Sequence, residues 1–81
     1  MKHTFNCAIL NTKQALLQQF AEILEEMYSA NYDAWEDAAT SLKEDTTWEF
    51  QNVDNYENPT LLREILQDIT SQNPCIKVLE I

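Results

Sequence analysis

Apolar and polar residues alternate in two segments of the chain, residues 4–10 and 46–53, which is the pattern of half-buried β-strands. A third segment, residues 75–81, is also interpreted as a strand. In the middle segment the alternation centres on Trp48 and Phe50, two aromatic residues that favour strands. We therefore predict three β-strands.

Between these segments, apolar residues recur every three or four positions, as they do on one face of a helix. Thr12 is a plausible N-cap for a first helix over residues 13–27, and Asn31 for a second helix running to about residue 43. Asn58 and Pro59 begin a third helix, which ends near Asn73. The order β-α-α-β-α-β predicts an α/β fold whose strands are parallel, with right-handed crossovers.

The second helix has two different sides when its residues are placed at about 100° per position. The apolar side carries Tyr32, Trp35, Ala38, Ala39 and Leu42, and the other side carries Asp33, Glu36, Asp37, Thr40 and Glu44. We expect Trp35 to pack in the core. Asp33 and Asp37 lie one turn apart, and like charges at that spacing cost a few tenths of a kcal/mol, about 0.2–0.5. The pattern raises the question of what offsets this repulsion.

Composition narrows the possible functions. The net charge is −9, and eleven acids but only one base, Lys43, lie between Glu22 and Glu57. Such a field repels nucleic acid and attracts cationic partners, although a solubilising surface would have the same composition. The chain has no glycine, which excludes phosphate-binding loops and EF-hand loops in their usual form. We find neither a signal peptide nor a membrane span, so a single cytoplasmic domain over residues 1–81 is expected.

Little in the sequence favours catalysis or a cofactor. Cys7 and Cys75 lack metal-ligand spacing, and we expect two buried, free thiols. Asp33 and Asp37 could bind Mg²⁺, but acids at this helical spacing are common. Paired carboxylates can also cleave glycosides, although nothing near these acids would separate their pKa values. An acyl carrier protein would need an Asp-Ser-Leu site, which is absent. We predict a non-enzyme without metal or cofactor.

The segment NYDAWEDAAT at residues 31–40, together with FNC at 5–7, WEF at 48–50 and the order of the elements, resembles the barstar family. Barstars are intracellular inhibitors of barnase-like bacterial ribonucleases. The resemblance covers nearly the whole chain and implies a two-layer domain with three main helices, in which the parallel strands lie in the order 1-2-3. With that order Cys7 and Cys75 fall on opposite edges of the sheet, too far apart for a disulfide.

The resemblance also implies a function. In this family the second helix and the preceding loop block the ribonuclease active site, where acidic side chains take the place of the RNA phosphate. Carried over to this chain, the partner-binding residues are Tyr28, Asn31, Asp33, Glu36, Asp37, Thr40 and Asp68. Asp37 takes the central position. The expected partner is a basic ribonuclease-type toxin in a 1:1 complex, and the free protein is expected to be a monomer.

Three positions depart from the family pattern. Glu36 stands where an aromatic residue is common, and Ser41 and Leu42 replace a glycine–aromatic pair. The departures point to a toxin other than barnase itself. The alternative function is an acidic adaptor or protein-binding module that has no nuclease partner.

Overall fold

The computed structural model describes residues 1–27 and 29–81. Its elements are β1 (Lys2–Asn6), α1 (Lys13–Ile23), α2 (Tyr32–Thr40), β2 (Thr46–Gln51), a short 3-10 helix (Val53–Asn55), α3 (Pro59–Gln72) and β3 (Ile76–Glu80). The fold is α/β, and the predicted sheet is confirmed: β1 and β3 both pair in parallel with β2, in the order β1-β2-β3.

One hydrophobic cluster joins the helices to one face of the sheet. Phe5 of β1 stacks on Phe50 of β2 with ring centroids 5.0 Å apart, and Phe20 of α1 lies 4.4 Å above Phe5. Trp48 is fully buried beside them. The opposite face of the sheet is polar and includes an ion pair between Lys2 and Glu49. The structure thus has two layers, with the core between the helices and the sheet.

The first strand is shorter and earlier than predicted, because Asn6 turns the chain. Its backbone carbonyl accepts bonds from the amides of Ile9 and Leu10, and its side chain accepts one from the amide of Ala8. Ile9 is consequently 74% exposed. The prediction that the first strand extends to residue 10 was wrong, because β1 ends at Asn6.

The first helix ends at Ile23 rather than at residue 27. The amide of Glu26 bonds the carbonyl of Ala21, and Glu25 turns back with a φ of 55°. This is the Schellman pattern that normally uses glycine at the turning residue; a chain without glycine makes it with a glutamate. Met27 lies beyond the turn and is 92% exposed, so it is not part of the buried apolar side of α1.

Both cysteines are free thiols. Cys7 is fully buried next to the end of β1, whereas Cys75 is only half-buried just before β3 begins. The prediction of two buried cysteines was therefore wrong for Cys75. None of the helices in the described part of the chain has the length and apolarity needed to cross a membrane.

Candidate functional site: an acidic surface on α2 and α3

The inward side of α2 fixes the orientation of the helix. Trp35 is 5% exposed and Ala39 is fully buried. The Trp35 ring lies 4.6 Å from Phe20 and 6.3 Å from Trp48, between centroids. The prediction that Trp35 is a core residue is confirmed. Because this side packs on α1 and the sheet, the opposite side of α2 must face outward.

Four carboxylates form the outward-facing site, which we call the acidic surface: Asp33, Glu36, Asp37 and Asp68. The first three lie on α2 and Asp68 lies on α3, which packs beside α2. Glu36 is half-buried, whereas the other three are exposed. Two helices therefore contribute carboxylates to one acidic surface.

The electrostatics of Glu36 reflect this arrangement. Burial raises the pKa of the Glu36 carboxyl, and the negative charges of Asp68, Asp33 and Asp37 raise it further. Asp68 has the largest effect of the three charges. Asp68 and Glu36 are 32 positions apart in the sequence, but the packing of α3 beside α2 brings Asp68 close enough for its charge to act on Glu36.

No cation within the described residues neutralises the acidic surface by an ion pair. The ion pairs present join Lys2 to Glu49, and Arg63 to both Asp54 and Glu80. The ammonium of Lys13 lies 4.9 Å from the centre of the Tyr32 ring at the start of α2, where it makes a cation–π contact. The four carboxylates are thus available to a cation brought by another molecule.

Two predicted contact residues also serve the helix itself. The Oδ1 of Asn31 accepts a bond of 2.8 Å from the amide of Asp33, so Asn31 is the N-cap. The Thr40 hydroxyl donates to the carbonyl of Asp37 at 3.1 Å. Tyr28, the remaining predicted contact, lies outside the described residues. Asn31 and Thr40 border the acidic surface at the two ends of α2.

Two anchors that the sequence analysis missed hold the ends of α2. At the first turn, the hydroxyl of Tyr32 lies 2.7 Å from that of Tyr56, which is buried in the segment after β2. Burial and this hydrogen bond raise the pKa of Tyr56. The sequence did not predict this hydrogen bond, because the two tyrosines are 24 positions apart and belong to different elements.

At the last turn, the buried Asn73 side chain donates to the carbonyls of Ala39, at 3.0 Å, and Leu42, at 2.8 Å. Its own Oδ1 accepts from the amide of Cys75 at 3.0 Å. The helix ends at Thr40 rather than near residue 43 because Asn73 binds these carbonyls. The sequence marked Asn73 only as the end of α3. Through it, the end of α3 fixes the end of α2.

Metal binding has no further support in the described chain: no three His, Cys, Asp or Glu side chains in that part converge as a metal site would require. Comparison with known proteins does not assign the chain to a family. No protein-family model matches the chain, and no curated protein matches it either.

Proposed function

We propose that this protein is a cytoplasmic inhibitor of a basic bacterial ribonuclease-type toxin, an immunity protein of the barstar kind. The observation that carries the proposal is the acidic surface, in which Asp68 of α3 lies close enough to Glu36 of α2 for its charge to act on that carboxyl. The packing of α2 beside α3 fixes the backbone positions from which these carboxylates extend. The active site of a ribonuclease is cationic because it binds phosphate, so the charges are complementary.

The energetics favour such a partner. Carboxylates that repel one another in the free protein gain most when cations enter between them, and close charge pairs across a protein interface can couple strongly, as those between barnase and barstar do. The proposal also explains the like-charge spacing of Asp33 and Asp37, since a cationic partner offsets their repulsion. The parallel order β1-β2-β3 agrees with the order that the resemblance implied.

The residues have separate roles in this proposal. Asp37, on the outward side of α2, is proposed as the central contact, and Asp33 and Asp68 supply further acidic contacts. Glu36 strengthens the negative potential of the acidic surface and replaces the aromatic contact of the barstar pattern. Binding by a protein of this kind is stoichiometric and involves no catalytic step.

The test begins with the reading frame beside the gene. If it encodes a small basic nuclease, the two proteins should copurify in a 1:1 ratio, and RNA cleavage should fall to background at one equivalent of inhibitor. The control is the same chain with Asp33, Asp37 and Asp68 changed to Asn. Unimpaired cleavage at a tenfold excess of the parent protein would contradict the proposal and favour an acidic adaptor.

A further inference from the structure

A cavity lies apart from the acidic surface, at the end of the domain where β1 and β2 begin. Its volume is about 280 Å³. This is slightly below the range of about 300–1,000 Å³ for pockets that enclose drug-sized ligands. The cavity therefore has room for one extended side chain rather than a large cofactor. We call it the β-start cavity, and it is lined by Met1, His3, Ile23, Leu24, Glu25, Leu42, Glu44, Asp45, Thr46 and Trp48.

The lining divides into an apolar part and an acidic part. The apolar part of the wall consists of Met1, Ile23, Leu24, Leu42 and Trp48. Leu24 and Leu42 are half-buried and Trp48 is fully buried. Glu44 and Asp45 are exposed and stand where the chain leaves α2 for β2. The apolar wall suits an alkyl chain, and the exposed carboxylates suit a cation at its end.

The structure positions these acids through neighbouring anchors. Glu25 reaches the cavity because the chain reverses there with a positive φ of 55°. The carbonyl of Leu42 is held by Asn73, which fixes the start of the loop that carries Glu44. The described residues of the lining include no lysine or arginine, and the terminal ammonium of Met1 donates to the backbone carbonyl of Asp45 at 3.2 Å. The described lining therefore carries three carboxylates, Glu25, Glu44 and Asp45, and one ammonium group.

We infer that the β-start cavity binds the side chain of an arginine or lysine presented by a partner protein. These side chains combine an apolar stem with a charged head, and they bury the stem while the head stays near water. Charge complementarity with the three carboxylates selects such a residue over an apolar anchor. The inference extends the proposed function, because it gives the basic partner a second contact on this protein. It depends on the proposed function only for the identity of that partner.

The test uses the free protein, so it does not depend on a nuclease. The probes are the capped tripeptide acetyl-Gly-Arg-Gly-amide and n-butylguanidinium, with guanidinium and n-butanol as controls that supply only the head or only the stem. Binding is followed by two-dimensional NMR at low salt. Both complete probes should shift the Trp48 indole signal and the amides of Leu42 and Thr46 saturably, whereas neither half probe should do so.

Two variants check the site. Changing both Glu44 to Gln and Asp45 to Asn should weaken binding about fivefold or more, since two exposed charge contacts are lost. Glu64→Gln, which removes an exposed acid of α3 outside the cavity, should leave the affinity unchanged. The inference is overturned if the tripeptide does not bind, if the double variant binds as tightly as the parent, or if the shifts map only to the acidic surface. That last outcome would leave the proposed function intact.

Discussion

The inward and outward sides of α2 differ in composition and in the contacts that they make. The inward side is apolar and satisfied within the molecule, with Trp35 packed among aromatic rings and Ala39 fully buried. The outward side gathers carboxylates that no ion pair in the described chain neutralises. The inward side of α2 thus contributes to the stability of the fold, whereas the outward side is free to contact a partner. Changes on the inward side should destabilise the fold, whereas changes on the outward side should affect mainly what the protein binds and change its stability only slightly.

The largest effect should come from Trp35→Ala. Removing the indole empties the space between α1 and the sheet, and this should lower the free energy of unfolding by about 3–5 kcal/mol. Trp35→Phe is the comparison variant, because it keeps an aromatic ring in the core. It should therefore cost less than Trp35→Ala, since it loses only part of the ring volume together with an Nε1 that has no hydrogen-bond partner among the described residues. Denaturant unfolding measures both. If Trp35→Ala folded normally but failed to bind, the orientation of α2 would be wrong.

A smaller loss should follow from Asn73→Ala, which removes both donors to the last carbonyls of α2. Leaving the buried Ala39 carbonyl without a partner should cost about 1–3 kcal/mol. Asn73→Asp keeps an acceptor for the amide of Cys75 but cannot donate, so it should cost at least as much. A denaturation midpoint equal to that of the parent would mean that Asn73 does not hold the helix.

The contacts made by Asn73 and Tyr56 show which features of the fold could not be predicted from the sequence. Periodicity gave the element order and the inward position of Trp35, because both depend on spacing within one segment. The parallel strand order came from the family resemblance. Neither Asn73 nor Tyr56 could be identified in this way, since each acts on residues more than 20 positions away. The end of α1 was missed because the turn at Glu25 is made without the glycine that normally marks it.

Tyr56→Phe should have a milder effect than the loss of Asn73. It removes the bond between the two tyrosine hydroxyls at the start of α2, at an expected cost of about 0.5–1.5 kcal/mol. Tyr32→Phe removes the same bond from the other side. If the bond is shared, the double variant should lose less stability than the sum of the two single changes. Simple additivity in thermal unfolding would mean that the bond contributes nothing.

The smallest effect should appear with Glu36→Gln on the outward side. Because the folded protein raises the pKa of Glu36, it holds the proton more tightly than the unfolded chain does, and stability falls as pH rises through that folded pKa. Removing the charge should therefore raise stability by a few tenths of a kcal/mol, about 0.2–0.5, at pH 7. At a pH below the unfolded pKa of Glu36 the difference should vanish. A variant that is less stable than the parent at pH 7 would place Glu36 in a favourable contact instead.

The central claim is that the outward side of α2 exists to bind a basic ribonuclease, and Asp37→Ala tests it most directly. Titration against the cognate nuclease at physiological salt should show affinity weakened by about 2 kcal/mol or more, roughly 30-fold, mainly through faster dissociation. Thermal stability should be unchanged or slightly higher, because the repulsion with Asp33 is relieved. Glu22→Ala, on the exposed side of α1, should bind like the parent. If Asp37→Ala binds the nuclease as tightly as the parent protein does, the account is wrong.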